Sequence, residues 1–442
     1  MHSGISVRSI LLCGASVRSL AESTIAAGLR PLCVDFFEDD DLTKLLARGR
    51  GRFVGRIESF CDLPRITHSV RCSIPLLWAG GLENHTDVLR AVSVRRRLIG
   101  ADPDIVDLVR DPVRLHSWLT SAGLSVPRLA TESTAAADCQ WLRKPFGGSG
   151  GLGIRRHEKS VFPQRDVQAR RLSSIADDAL PARRTSPDTL QREFLQEYID
   201  GVPMSAVCSV VNGRLQLWGM SLQLIGWPSL GASDFLFCGN IGPVDPGEDV
   251  TRQVLSAAKN IADHTGLSGV FGIDFILREG RAWFLEVNPR LTASHMLFEQ
   301  QNPGQLVREH LTAFGLSLVT TREARSSARE PASVTARLIL WAHSDFLVPS
   351  DLESSLIRVA GRRVRIADVP KRGTTIRQGS PICSVLVRAE SISDVADIIA
   401  DLKPPRPGGI ATSWQLVGAQ CRLLEQRFKR NISLTLRDPI AN

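Results

Sequence analysis

Residues 271–290 read FGIDFILREGRAWFLEVNPR, and this stretch predicts two antiparallel strands joined by a tight turn. Both flanks are apolar or aromatic, whereas Glu279 and Gly280 between them are typical of a hairpin turn. If the loop contains an odd number of residues centred on Gly280, Asp274 lies directly opposite Glu286. Partners on one face of such a pair lie roughly 5 Å apart, so the two carboxylates are expected to meet.

A divalent cation would explain why two acids converge on this hairpin. Asn288 follows Glu286 by two residues and therefore projects from the same face. Mg²⁺ prefers a few carboxylate oxygens and completes its octahedron with water and phosphate oxygens. Asp274, Glu286 and Asn288 are therefore predicted metal ligands, and Arg290 adds a cation where a transferring phosphate would need one. The alternative is a solvated strand face on which the two acids are neighbours by coincidence.

With this acid, E-x-N and Pro-Arg pattern the chain resembles the ATP-grasp superfamily, and its spacing is similar to that of biotin carboxylase and its relatives. The resemblance implies ATP and Mg²⁺ (or Mn²⁺) as cofactors and a catalytic role for Arg290. It also implies an α/β (α+β) fold with an ATP-grasp domain between two others, an N-terminal Rossmann-like pre-ATP-grasp domain and a C-terminal α+β domain similar to that of biotin carboxylases. The expected ranges are 1–110, 111–320 with a mobile insertion at 160–189, and 334–442.

A glycine-rich segment supports a phosphate site. Residues 141–145 predict a strand that contains Lys144, and residues 147–153 read GGSGGLG. Five glycines in seven residues let backbone N–H groups turn towards a phosphate without side-chain interference, although a flexible linker has the same composition. By resemblance, Lys144 contacts the nucleotide phosphates and the loop closes over them, and the loop residues assigned to the nucleotide are Gly147, Gly148, Ser149, Gly150, Gly151 and Gly153.

The resemblance also assigns an adenine slot. Glu197, Tyr198 and Ile199 stand where members of the superfamily join the two halves of the nucleotide site, although Tyr198 could equally serve packing. Many members carry a lysine directly after the aspartate that begins an earlier helix, and Pro112 stands there instead. That phosphate contact is therefore either absent or supplied by Arg114.

The N-terminal region predicts a β-α-β unit, but only Gly14 of a dinucleotide loop is present, which argues against NAD. Glu83 follows another buried-type strand, at the sheet edge where ligands bind in such folds. It is a substrate-site candidate, and the alternative is a helix cap. His295, beside the site, is a candidate acid–base group, and the alternative is a helix-face or packing histidine.

Bulk composition restricts the class of protein. The chain has 442 residues, 43% hydrophobic and 23% charged, and no apolar run approaches a membrane span. Nine scattered cysteines without CxxC pairs indicate neither a disulfide framework nor a zinc site and favour the cytoplasm. The net charge of +8 is spread along the chain with few aromatics, so neither nucleic acid nor a membrane is an expected partner.

The function implied is an ATP-dependent ligase that activates a carboxylate as an acyl phosphate for capture by a nucleophile. Its partners are then small molecules, with a homodimer as the assembly suggested by the relatives. Ser294 stands where biotin carboxylases place the glutamate base for bicarbonate, and a biotin attachment motif is missing. An amide-forming reaction is therefore favoured, and the resemblance suggests a setting in cofactor or one-carbon-related metabolism. A bicarbonate-using carboxylase, or another enzyme that forms carboxyphosphate, and a non-catalytic ATP-binding protein are the alternatives.

Overall fold

A computed structural model describes residues 5–132, 134–136, 138–158, 193–318, 333–352, 363–402 and 412–433. The insertion expected at 160–189 lies outside these residues. The helices are α1 Arg18–Ala26, α2 Asp40–Arg48, α3 Leu63–Thr67, α4 Thr86–Ser93, α5 Pro103–Val109, α6 Pro112–Ser121, α7 Glu248–Thr265, α8 Gln305–Ala313, α9 Ile392–Ala400 and α10 Trp414–Ser433.

The strands follow in chain order. They are β1 Ile5–Val7, β2 Ser9–Cys13, β3 Arg30–Asp35, β4 Arg52–Arg56, β5 Leu76–Trp78, β6 Leu98–Ile99, β7 Leu129–Ala130, β8 Trp141–Pro145, β9 Arg155–Arg156, β10 Glu193–Glu197, β11 Val202–Val211, β12 Arg214–Ile225, β13 Phe237–Val244, β14 Gly269–Arg278, β15 Arg281–Asn288, β16 Leu316–Leu318, β17 Val334–Trp341, β18 Phe346–Leu347, β19 Val364–Ala367, β20 Thr375–Ile376 and β21 Pro381–Ala389.

The N-terminal strands form a five-stranded parallel sheet in the order β4-β3-β2-β5-β6. Parallel strands need crossover connections, and helices fill them here. This is the Rossmann-like architecture expected for the region. The carboxyl end of β5 runs into Gly80 and Gly81, which places the following loop at the ligand-binding edge of the sheet.

An eight-stranded antiparallel sheet, ordered β15-β14-β11-β12-β13-β17-β21-β19, forms the centre of the molecule. Strands β17, β19 and β21 come from the C-terminal third of the chain, and β17 pairs directly with β13. The C-terminal strands therefore extend the sheet of the middle region. The domain ranges given above remain predictions, because sheet pairing alone does not set a boundary in the chain.

Local sequence chemistry explains the turns. Asn212 and Gly213 join β11 to β12 with φ of 51° and 76°, and Glu279 and Gly280 join β14 to β15 with φ of 50° and 71°. Two consecutive residues with positive φ are typical of a type I′ turn, whose twist suits a two-residue hairpin. Helix α6 begins equally locally, because the Asp111 carboxylate accepts hydrogen bonds from two N–H groups of its first turn.

A four-stranded sheet, ordered β7-β10-β8-β9, faces the large sheet across a cleft. One buried apolar cluster reaches from Trp78 of the N-terminal sheet through Phe275 of β14 to Trp414 of α10, so the regions pack on a continuous core. In the described part of the chain, every helix is too short or too polar to cross a membrane.

Candidate active site

The β14–β15 hairpin brings Asp274 opposite Glu286 and Gly272 opposite Asn288. The condition stated for this pairing was wrong, because the loop has two residues and not an odd number. Instead, a β-bulge after Asp274 leaves Leu285 without a cross-strand partner and supplies the odd residue. The two carboxylates therefore share one face of the sheet, as the sequence pattern predicts.

Hydrogen bonds hold the Asp274 carboxylate in place. Gln223 on β12 donates to Oδ1 at 3.1 Å, and the Asn288 side-chain amide donates to Oδ2 at 3.0 Å. Burial, reinforced by the nearby charge of Glu286, raises the pKa of Asp274 to about 7. Ionising both of these neighbouring carboxyl groups is unfavourable, and a bound cation would offset that cost.

The donor set fits a hard divalent cation. Asp274 and Glu286 offer carboxylate oxygens, and Asn288 donates its amide nitrogen to Asp274. The Asn288 Oδ1 accepts only a long hydrogen bond, at 3.4 Å, from Arg290, so this oxygen can turn to a ligand. Among the described residues, no group of three or more His, Cys, Asp or Glu side chains could hold a metal. Two carboxylates and an amide suit Mg²⁺, which binds few protein ligands when phosphates and water complete its shell.

Lys144 on β8 lies on the opposite wall of the same cavity, whose volume is about 1590 Å³. Its ammonium donates to Gln196 at 3.1 Å and lies 6.0 Å from the centre of the Phe194 ring. Burial lowers the pKa of Lys144, and the charges of Glu286 and Asp274 oppose that shift. Lys144 is therefore near enough to both carboxylates to interact with them across the cleft.

The glycine loop lines the cavity and packs against Phe235, just before β13. The Phe237 N–H donates to the Gly150 carbonyl at 2.9 Å. Gly151 has φ of +80°, and a Cβ there would lie 1.8 Å from the Phe235 carbonyl oxygen, so only glycine fits. The cavity is lined by Gly147, Gly148, Ser149, Gly150 and Gly151, whereas Gly153 packs towards Pro145 and is not among its lining residues.

Glu197, Tyr198 and Ile199 also line the cavity. The amides of Glu197 and Tyr198 donate to backbone carbonyls of neighbouring segments, and the Glu197 carboxylate accepts from Arg128 at 3.0 Å. The Tyr198 ring lies 4.6 Å below the guanidinium of Arg156 and contacts Phe235 edge-on at 6.4 Å. Tyr198 therefore packs against Arg156 and Phe235 and also lines the cavity, and its place in an adenine slot stays a prediction.

Arg290 lines the cavity and forms a buried ion pair with Glu83 at 2.7 Å. Glu83 does not cap helix α4; it lies in the short 3-10 helix Leu82–Asn84, and its other oxygen accepts from the N–H of Gly81, which precedes that helix, at 2.7 Å. Although burial opposes ionisation of both groups, their mutual attraction keeps the pKa of Glu83 lowered and that of Arg290 raised. The N-terminal domain thus supplies the counter-ion that fixes the predicted catalytic arginine.

Two other sequence candidates lie elsewhere. Arg114 is paired with Asp111 at 3.4 Å and is not among the lining residues. His295 is buried in a short 3-10 helix, where its ring contacts Ser23 at 2.9 Å and the Thr292 carbonyl at 2.7 Å. His295 therefore packs between helix α1 and the site.

Sequence reasoning missed Arg110, Gln196 and Gln223, all of which line the cavity. Gln223 could have been noticed as a polar residue in an otherwise apolar strand segment. Arg110 had no comparable signal, because its position depends on how the α5–α6 junction lies against the hairpin.

Residues 109–294 match the family model of the ATP-grasp domain. The chain contains an ATP-grasp domain. The match covers the Lys144 strand, the glycine loop and the acidic hairpin in one unit, so the resemblance deduced from the sequence is confirmed. The expected fold class is confirmed as well.

Solved structures similar to the whole chain include biotin carboxylases. The β,γ-ATP complex of biotin carboxylase from Campylobacter jejuni has a TM-score of 0.62 at 16% identity, covering 94% of this chain and 95% of that one. The biotin carboxylase domain of Hydrogenobacter thermophilus 2-oxoglutarate carboxylase, solved as a dimer with MgADP, ADP and bicarbonate, gives 0.60 at 14% identity and coverages of 98% and 99%. These identities establish a common fold and no more.

Two further similar proteins are not biotin carboxylases by name. N5-carboxyaminoimidazole ribonucleotide synthetase from Thermus thermophilus has a TM-score of 0.57 at 14% identity, covering 88% of this chain and 96% of that one. An uncharacterised protein of Methanocaldococcus jannaschii is 19% identical over 309 residues, which are 68% of this chain. The aligned part spans 66% of that relative's length.

Proposed function

We propose that this protein is an ATP- and Mg²⁺-dependent ligase that converts a carboxylate into an acyl phosphate for capture by an amine or another nucleophile. The observation that carries the proposal is the joint lining of one cavity, within an ATP-grasp domain, by Lys144 and the oxygen donors of Asp274, Glu286 and Asn288. ATP and Mg²⁺ are present as ligands in structures of the same fold.

Each residue has a role in this proposal. Asp274, Glu286 and Asn288 hold Mg²⁺, which would neutralise charge on the β- and γ-phosphates. Lys144 binds phosphate oxygens from the opposite wall, and Arg290 stabilises the transferred phosphoryl group. The protein contributes positioning and charge more than proton transfer, since an oxygen of the substrate carboxylate attacks the γ-phosphorus and ADP leaves.

Glu197, Tyr198 and Ile199, which join the two halves of the nucleotide site, line the adenine slot in this proposal. Because the amides of Glu197 and Tyr198 already donate within the protein, hydrogen bonds to adenine fall to Ile199 and to carbonyl oxygens. The glycine loop covers the phosphates through the residues that line the cavity, and Gly153 acts by shaping the loop.

Carbon–nitrogen bond formation is our first choice, with Ser294 as the supporting residue. Its hydroxyl lies 2.8 Å from the Thr292 hydroxyl on the cavity wall, where a carboxylate base for bicarbonate would be expected by resemblance. A bicarbonate-using enzyme is the second candidate, because structures of the same fold carry bicarbonate or are named for carboxylation. A non-catalytic ATP-binding protein is the third.

One assay separates these candidates. Release of ADP and phosphate would be measured with Mg-ATP, first with a panel of carboxylates and amines and then with bicarbonate alone. Stimulation by a carboxylate that also needs an amine supports the ligase, and bicarbonate-dependent turnover would replace it with the second candidate. Nucleotide binding without stimulated turnover would favour the non-catalytic protein. Thermal stabilisation by Mg-ATP plus metabolite acids would select the panel.

The proposal extends to the cellular compartment and the oligomeric state. The nine cysteines, all of them described and six of them buried, form no disulfide bond, which supports a reducing compartment such as the cytoplasm. We propose a homodimer, the state named for the Hydrogenobacter domain, and sedimentation analysis of the full chain would test it.

A further inference from the structure

Arg110 connects three parts of the cleft that are far apart in sequence. It follows helix α5, and its side chain is only 13% exposed. Its Nη2 donates to the Gly148 carbonyl at 2.7 Å and to Asn84 Oδ1 at 3.3 Å, while Nη1 donates to Glu286 Oε2 at 3.4 Å. One guanidinium thus joins the glycine loop, the loop after β5 and a proposed metal ligand.

Most of the other cations on the cavity wall already have a carboxylate partner. The lining cations among the described residues are Arg110, Arg143, Lys144, Arg155, Arg156, Arg290 and Arg427. Four of these pair with carboxylates outside the proposed metal set: Arg143 and Arg155 with Glu193, Arg290 with Glu83, and Arg427 with Asp200. Arg156 lies over the Tyr198 ring, in the proposed adenine slot.

Arg110 and Lys144 are therefore the two described lining cations that lie near the proposed metal carboxylates and have no other carboxylate partner. Lys144 donates to the neutral Gln196, and the Arg110–Glu286 contact of 3.4 Å is long for a charge-assisted hydrogen bond. Arg110 Nε is also buried and lacks a hydrogen-bond partner among the described residues. A guanidinium whose one carboxylate contact among the described residues is long, and which has a planar fork of donors, is suited to a phosphate group.

We propose that Arg110 is a phosphate-binding residue of the nucleotide site and that it links the position of the glycine loop to occupancy of the metal site. When Glu286 binds the metal its charge is neutralised, and the Nη1 of Arg110 is released to the β- and γ-phosphates. Its Nη2 keeps the carbonyl of Gly148, so the loop stays over the phosphates. The inference rests on the proposed function, because it assumes that a magnesium nucleotide fills this cavity.

The test compares Arg110→Met, which keeps an unbranched apolar stem but removes the guanidinium and its charge, with Arg110→Lys. Arg114→Met is the matched control, since Arg114 lies on the adjacent helix, is exposed and does not line the cavity. Affinities for the magnesium complex of a non-hydrolysable ATP analogue and for AMP would be measured by calorimetry on the full chain. Circular dichroism would verify folding of each variant.

We expect Arg110→Met to weaken the triphosphate analogue about 10- to 100-fold, the range for a lost charge-assisted hydrogen bond, and AMP by no more than about threefold. Arg110→Lys should recover part of the loss, and Arg114→Met should bind as the unchanged protein does. Hydrogen exchange of residues 146–153 without nucleotide should rise in Arg110→Met and not in the control.

Three results would each overturn the inference or one part of it. Equal analogue affinity in Arg110→Met and the unchanged protein would remove Arg110 from the phosphate site while leaving the proposed function intact. Failure of the unchanged, folded protein to bind the magnesium analogue would remove the proposed function and the inference together. Unaltered loop exchange in Arg110→Met would refute the link to the glycine loop.

Discussion

The Glu83–Arg290 pair gives the sharpest stability prediction, because both partners are buried and each Glu83 oxygen has its own donor. Oε1 accepts from Arg290 and Oε2 from the Gly81 N–H, each at 2.7 Å. In Glu83→Gln the side-chain amide has one oxygen and one NH₂ group. Its NH₂ must therefore face either the guanidinium or the backbone N–H, and one hydrogen bond becomes a donor–donor contact.

The magnitude follows from burial. The side chains of Glu83 and Arg290 are 1% and 12% exposed, so water cannot replace the lost charge. Removing one partner of a buried pair costs about 3–5 kcal/mol, and the acceptor that glutamine retains places this variant near 3 kcal/mol. In a cooperative unit of roughly 150–250 residues, that loss lowers Tm by about 6–12 °C.

The assay is thermal and urea unfolding of Glu83→Gln, Arg290→Gln and the double variant, with the exposed Glu58→Gln as control. We expect the control to stay within about 0.5 kcal/mol. The double variant should be more stable than the sum of the single losses predicts, by about 2 kcal/mol or more, because the first substitution already breaks the pair. A loss below about 1 kcal/mol in Glu83→Gln, or additive single effects, would refute the reasoning.

Three further predictions concern the metal site, the N-terminal sheet and the glycine loop. Glu286→Gln should abolish stimulated turnover and have a milder effect on nucleotide affinity, because an amide oxygen can still bind the metal but carries no charge. Full activity in this variant would remove the assignment of Glu286 as a metal ligand. Burial raises the pKa of Asp35 to about 6, so the folded protein keeps this proton to a higher pH than the unfolded chain. The resulting stability of about 3 kcal/mol is present below pH ~4 and lost as pH rises to about 6, and Asp35→Asn should flatten the urea-unfolding profile over that window; an unchanged profile would contradict this. Gly151→Ala should raise KM for ATP by about tenfold or more, because the added Cβ meets the Phe235 carbonyl oxygen. Gly150→Ala also has a positive φ but has open space around its Cβ, so its KM should rise less. Equal increases in KM would count against a role for loop packing.

Much of the local structure was readable from the sequence because its causes lie within a few residues. Asn212-Gly213 favours positive φ at both positions and so determines the first hairpin by itself. Gly280 marks the second turn, although the number of residues in its loop was predicted wrongly. Asp111 and Pro112 likewise determine where α6 begins. The same holds for the order of the nucleotide motifs, since a lysine strand, a glycine loop and an E-x-N hairpin each carry a recognisable pattern.

The details of the site depended on the tertiary structure. The bulge that leaves Leu285 unpaired sets Asp274 against Glu286, and bulges have no reliable signature in a single sequence. The Glu83–Arg290 pair joins residues 207 positions apart, and Arg110 reaches Glu286 across 176. Hydrophobic periodicity fixes which face of an element is buried, but it does not say which distant element will lie against that face. Contacts between side chains on different elements are therefore decided only when the sheets pack.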